Sequence, residues 1–212
     1  GAPLVPIGDR LLFEKFDYCL NLGGFANVSF EDQKKNRIAF DVCPVNIVMN
    51  HFAELLGKEY DDGGRIAASG KLNKVILSKL NSLEHYFKKA PKSLGMEWVQ
   101  DKIVPILNNS GLSSEDILNT FVEHIAIQLA AQFHEGSSVL ITGGGAYNEY
   151  LLDRLKWHAN VTVTVPSSVL VEYKEALIFG LLGVLKLRNS NNCLASVTGA
   201  KNDHSSGLIF IS

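Results

Sequence analysis

The chain predicts an α/β fold, a mixed sheet that opens with an antiparallel three-strand meander and is flanked by helices. Two observations carry this expectation. Short apolar and β-branched runs follow one another between Tyr18 and Val42 with only turn residues between them. From Val139 onward, strand-like and helical patterns alternate, which is the arrangement of a sheet covered by helices.

Taken in order, residues 1–17, punctuated by Pro3, Pro6 and Gly8, read as a connector, and 18–212 as the folded lobe. Residues 18–22 form a first strand, Gly23-Gly24 a turn, 25–30 a second strand, 31–36 a hairpin loop and 37–42 a third strand that Asp41 closes. Pro44 then opens a helix whose Val45, Val48, Met49, Phe52, Leu55 and Leu56 recur at helical spacing until Gly57. The glycine-rich stretch 60–70 reads as a loop with one helical turn, 72–83 as an amphipathic helix, and 86–97 as a second connector.

Ser113 followed by Asp116 is a capping-box pattern before the longest helix, with Ile117, Phe121, Ile125, Leu129 and Phe133 on its core face. Val139, Leu140 and Ile141, without polar alternation, suit a strand covered on both faces. Gly143-Gly144-Gly145 turns the chain, and Asn148 sits where a helix can begin. A strand over 161–165, a helix over 172–187, the segment Ser196 to Ala200 and an apolar run over 208–211 complete the chain, with no internal repeat.

Composition narrows the function. With 46% hydrophobic and 20% charged residues and a formal charge of −2, the chain reads as an ordinary soluble globular protein. The pairs Lys34-Lys35 and Lys88-Lys89 are solvated faces rather than a phosphate track, so no nucleic-acid partner is expected. No apolar run approaches the roughly 20 residues of a membrane helix, and no signal peptide opens the chain. A cytoplasmic location and no membrane partner are therefore expected. Cys19, Cys43 and Cys193 are too scattered for a disulfide framework or a metal site and read as buried thiols. The start Gly1-Ala2-Pro3 reads as entry in mid-protein.

Several residues can carry chemistry. A carboxylate at a strand end, as at Asp41, projects into the crevice where ligands collect and can act as a general base; alternatively it caps the Pro44 helix. Glu175 lies in the first turn of the expected last helix, where it compensates the dipole. The six histidines show no metal-ligand spacing, and His124 reads as a satisfied core residue. Asn21, Gly23, Gly24 and Asn27 form a tight turn with asparagine on both sides, able to offer donors to a phosphate. Gly143, Gly144, Gly145 and Asn148 present a helix N-terminus to a nucleotide, or simply turn the chain. Two glycine turns with a long helix between them is the layout of an actin-like ATPase lobe of the ribonuclease H-like kind.

The motifs NLGGFANVSF, Asp41 with Pro44 and Asn46, PKSLG before Glu97, ITGGGAYN, KEAL and SVTGA resemble, in order and over nearly the whole chain, those of the anhydro-N-acetylmuramic acid kinases. The opening GAPLVP is similar to the segment between that family's two lobes. The resemblance implies the C-terminal lobe of an ATP- and Mg2+-dependent kinase that opens 1,6-anhydro-N-acetylmuramic acid with water and phosphorylates O6 in cell-wall recycling. It implies further that the N-terminal lobe lies outside this chain, and that two copies pair as a homodimer. By position, Asp41 resembles the base that activates the water, Glu175 and Asn46 resemble sugar contacts, Asn21 to Asn27 face phosphates, and Gly143 to Gly145 with Asn148 face the nucleotide. Where the family reads Thr-Gly-Pro-Gly-Asn after the aspartate, this chain reads Val42-Cys43-Pro44-Val45-Asn46, and a family arginine is Met96. These departures admit a second reading, a non-catalytic nucleotide-binding or interaction module on the same fold.

Overall fold

A computed structural model describes residues 3–210. A helix α1 (Val5–Leu12) leads into β1 (Tyr18–Leu22), β2 (Phe25–Glu31) and β3 (Arg37–Pro44). Helices α2 (Asn46–Glu54), α3 (Arg65–Ser69) and α4 (Lys74–Asn81) follow. Then α5 (Met96–Trp98) runs through a π turn into α6 (Val104–Asn108), ahead of the long α7 (Ser114–Ala130). The chain continues through β4 (Ser138–Thr142), α8 (Glu149–His158), β5 (Thr162–Thr164), α9 (Ser168–Leu187) and α10 (Ala195–Thr198). None of the described helices is long and apolar enough to cross a membrane.

The five strands form one sheet in the order β3-β2-β1-β4-β5. The meander is antiparallel, as expected, whereas β1 pairs with β4 and β4 with β5 in parallel. The sheet is therefore mixed, with β1 at its centre. One face, carrying Leu20, Leu22, Val28 and Val42, packs with Phe52, Leu118, Phe121 and Ile125 in the main core. Each such side chain, fully removed from water, contributes about 1.5–3 kcal/mol. The opposite face is covered by α1 and α9.

Five expectations need correction. The leading segment contains a helix, because Pro6 stands at its start, where a missing N–H costs nothing. Pro44 ends β3 opposite Phe25 instead of opening a helix; an edge strand tolerates a residue without a donor, and α2 begins only at Asn46. Asp41 is consequently inside a strand, three residues short of its end, and caps nothing. The longest helix is α9, at 20 residues against 17 for α7. It starts at Ser168, so Glu175 lies two turns inside it, beyond the dipole's reach.

Local chemistry explains several boundaries. The Ser113 hydroxyl accepts from Asp116 N at 3.2 Å, but the Asp116 carboxylate takes Lys71 N at 2.7 Å instead of closing a box. Asn148 Oδ1 accepts from Leu151 N at 2.9 Å and starts α8, as expected. In the stretch 60–70, Asp61 accepts from Ile66 N and Ala67 N and so caps α3. All three cysteines are free and buried. In the terminal apolar run, Leu208 to Phe210 are exposed and Ile211 lies outside the described residues.

Candidate functional site

The sheet register sets the site. Asn21 faces Asn27 across β1 and β2, and Asn27 faces Asp41 across β2 and β3, so three polar side chains stand in one cross-strand row. Directly opposed residues share a face, and all three line a cavity of about 380 Å³. Two residues back along the strands, Cys19 and Ser29 continue the same floor. The walls are Asp9 on α1, Lys174 and Glu175 on α9, and the loop Pro91 to Ser93.

The Asp41 carboxylate is held at both oxygens. Asn27 Nδ2 donates to Oδ1, and Leu94 N donates to Oδ2 at 2.8 Å. Asp41 N donates to Lys92 O at 3.2 Å, so the 91–94 loop is stapled to the edge strand through backbone and side chain together. Behind it, His85 Nε2 lies 3.2 Å from Asp41 O; a carbonyl only accepts, so that nitrogen carries the proton. Burial holds the His85 imidazole below its ordinary pKa, outweighing the contact with Asp41 O, which pulls the other way. Burial likewise lowers Lys92.

At the junction of floor and walls lies a group that sequence reasoning missed. Lys174 Nζ pairs with Asp9 Oδ1 at 2.7 Å, Ser29 Oγ donates to Asp9 Oδ2 at 2.5 Å, and Arg37 Nη2 donates to Ser29 Oγ at 2.9 Å. All four residues are buried. Burial, with the Asp9 carboxylate second, pushes the adjacent Cys19 thiol up to about 11, so it is protonated and unreactive at neutral pH. A signal for Lys174 was present: the buried stripe of α9 is Val171, Lys174, Ile178 and Leu182, a helical repeat with a lysine in an aliphatic position. Asp9 and Ser29 carried no such mark.

The glycine turns leave the same end of the sheet, since Asn21 is in register with Thr142. The hairpin carbonyls are already engaged: Gly24 O accepts from Val45 N at 2.8 Å and Gly23 O from Asn46 N at 3.2 Å, which satisfies the start of α2. Asn46 Nδ2 donates to Leu22 O at 3.2 Å, which seats Asn46 between the two turns and away from the cavity lining.

The three glycines of the second turn differ. A Cβ on Gly143, whose φ is +83°, would lie 2.7 Å from Asn21 Oδ1, and one on Gly145 would lie 2.7 Å from Leu22 Cβ; both positions are needed for packing. Gly144 is exposed, and its nearest neighbour would be Asn46 Nδ2 at 3.6 Å, so it is the position open to a ligand. Asn148 is buried and committed to the α8 cap. At the base of this turn the buried Thr142 Oγ1 has no hydrogen-bond partner among the described residues.

Of the expected site residues, then, Asn21, Asn27, Asp41 and Glu175 share one cavity, while the glycines, Asn46 and Asn148 cluster beside it. No group of three or more His, Cys, Asp or Glu able to hold a metal ion occurs among the described residues.

A mixed sheet that opens with an antiparallel meander and is covered by helices on both faces has the actin-like ATPase fold. Two solved structures share it: the activator of the 2-hydroxyisocaproyl-CoA dehydratase from Clostridium difficile with bound ADPNP, at TM-score 0.53 and 16% identity over 88% of this chain and 67% of that one, and component A of the (R)-2-hydroxyglutaryl-CoA dehydratase of Acidaminococcus fermentans, at 0.50 and 17% over 84% and 64%. At such identities the likeness speaks for the fold alone. The sequence model described as anhydro-N-acetylmuramic acid kinase matches residues 1–212, and the chain belongs to that family. It is 32% identical to the anhydro-N-acetylmuramic acid kinase of Mannheimia succiniciproducens, over 99% of this chain and 61% of that protein. The same identity holds to the kinase of Vibrio vulnificus, over 99% and 60%. The chain thus spans about three fifths of the length of these relatives.

Proposed function

We propose that this chain is the C-terminal lobe of an ATP-dependent sugar kinase that hydrolyses the 1,6-anhydro ring of anhydro-N-acetylmuramic acid and phosphorylates O6, a cytoplasmic step of cell-wall recycling. The observation that carries the reading is the row Asn21, Asn27 and Asp41 facing one cavity with Glu175. In it, Asp41 takes a proton from water as the water attacks the anomeric carbon; the bond from that carbon to the bridging oxygen breaks, and the freed O6 attacks the γ-phosphoryl group of ATP, whose bond to the β,γ-bridging oxygen breaks to release ADP. Two donors on the carboxylate hold it aimed, as a base must be.

Glu175 is assigned to the sugar hydroxyls. Asn46, seated between the two turns, is assigned to the phosphate side of the site along with Asn21, Gly23 and Gly24, Asn27 to the Asp41 carboxylate, and the exposed Gly144 to close approach of the nucleotide. Among the described residues no three His, Cys, Asp or Glu side chains gather to hold a metal ion. Magnesium would be held chiefly by the ATP phosphates, whose charge it would neutralise, and no step here runs through it.

The test is Asp41→Asn in a two-lobed protein that contains this chain. Phosphorylation of the anhydro sugar should fall by about 10²–10⁴, the contribution of a positioned base, with nucleotide affinity retained. The isolated chain should show negligible turnover, because the reaction takes place between lobes. A second reading, a binding module without catalysis, is favoured by Val42, Cys43 and Val45, which turn into the core where the family carries a threonine and two glycines. An Asp41→Asn protein with unchanged activity would decide for it.

A further inference from the structure

We propose that Lys174 is a positioning residue that sets Glu175 in the cavity through its ion pair with Asp9, an inference that rests on Glu175 being the sugar contact. Helix α9 lies on the sheet by a narrow stripe, and among Val171, Lys174, Ile178 and Leu182 the lysine is the one charged member. An aliphatic side chain would fill that position at no electrostatic cost, and a buried ion pair is seldom more stabilising than a hydrophobic replacement. What the pair supplies is direction.

Asp9 is the common partner of three elements. Lys174 reaches it from α9, Ser29 from β2, and it stands on α1 itself. One residue away, α1 and α9 touch at Gly8, where a Cβ would fall 2.5 Å from the Ile178 side chain. Ile178 is one turn beyond Lys174, so the close approach at Gly8 sets the distance between the helices and the pair at Asp9 sets the rotation of α9 about its axis. Glu175, the next residue, is thereby turned toward the row that holds Asp41.

Arg37 joins the same group at one remove, donating to the Ser29 hydroxyl that in turn donates to Asp9. Lys174→Met fits the aliphatic stripe and leaves Ser29 as the remaining contact of the Asp9 carboxylate.

The experiment is a double-mutant cycle in the full two-lobed protein, with sugar KM, ATP KM and kcat measured for Lys174→Met, Glu175→Gln and the double variant. Lys174→Met should raise the sugar KM at least tenfold with ATP KM unchanged, and the double variant should be no worse than Glu175→Gln alone, since the lysine acts through the glutamate. An unchanged sugar KM in Lys174→Met, or losses that multiply in the double variant, overturns the inference while leaving the role of Glu175 intact. An unchanged sugar KM in Glu175→Gln removes the sugar contact and the inference with it. Should Lys174→Met fail to fold, Lys174→Gln, which keeps a neutral donor toward Asp9, carries the same cycle.

Discussion

Asn27 and Asp41 face each other across β2 and β3, and the asparagine amide donates to the aspartate's Oδ1. Sequence alone assigned Asn27 to a phosphate, as one flank of a glycine turn. The register turns its side chain sideways, along the row, onto the carboxylate. A β-bulge between Ala26 and Asn27 brings this about, shifting the pairing so that Asn27 meets Asp41 rather than Val42.

Asn27→Leu should therefore behave as a base-orientation variant. It removes one of the two donors holding the carboxylate, so with Asp41 as the proposed base, kcat of a two-lobed protein containing this chain should drop by roughly ten- to a hundredfold, a fraction of what a positioned base contributes. The ATP KM should stay within about twofold. A large rise in ATP KM with kcat intact would return Asn27 to the phosphate side.

The second prediction separates the three glycines by what surrounds them. Gly143→Ala forces an L side chain to positive φ against Asn21 and Leu22, and Gly145→Ala drives a methyl into Leu22. Each should cost about 1–3 kcal/mol in a denaturant titration, the range for overpacking and for strained backbone. Gly144→Ala meets nothing closer than 3.6 Å. It should leave the unfolding midpoint unchanged and weaken nucleotide binding, measured by calorimetry. Equal loss of stability at all three positions would show that the turn is packing alone.

Much of this fold was legible in the sequence because its elements are locally determined. The meander follows from three apolar runs parted by turn residues, β1 agrees with its expected bounds, and the Ser113 and Asn148 caps form as their side chains dictate. Both prolines were assigned to the wrong element: Pro6, read as punctuation of a connector, lies in the first turn of a helix, and Pro44, read as opening a helix, ends an edge strand. The candidate site was legible only as far as single residues announced it. Asp41 and Glu175 did so, whereas Asp9, Ser29 and His85 matter through partners 165, 20 and 44 positions away. No local pattern carries such pairings, because the register that creates them is a property of the folded sheet.

The third prediction concerns acid stability and comes from His124. This ring is fully buried on α7, with Nδ1 2.6 Å from Asn81 Oδ1 and Nε2 2.8 Å from the Tyr86 hydroxyl. The amide oxygen only accepts, so Nδ1 carries the proton and Nε2 accepts from tyrosine, which makes the imidazole neutral. Burial pushes its pKa down to about 3 from 6.5. In the unfolded chain the same histidine binds a proton as the pH falls through 6.5, so between about 3 and 6.5 the unfolded state holds more protons and stability declines with falling pH. The slope approaches about 1.4 kcal/mol per pH unit well below 6.5, giving a loss of roughly 1–2 kcal/mol between pH 6.5 and 5. His85, also lowered by burial, adds loss of the same sign. The lowered carboxylates Asp17, Asp32 and Glu123 withdraw their contribution at more acidic pH, as it falls through their own folded values. Comparing denaturation of the wild type and His124→Gln at pH 5, 5.5, 6, 6.5 and 7 isolates this residue. The variant keeps a donor and an acceptor but does not titrate, so it should be less stable at pH 7 and show a shallower decline toward pH 5. Parallel curves for the two proteins would mean that the folded protein takes up the proton at His124 as readily as the unfolded chain does.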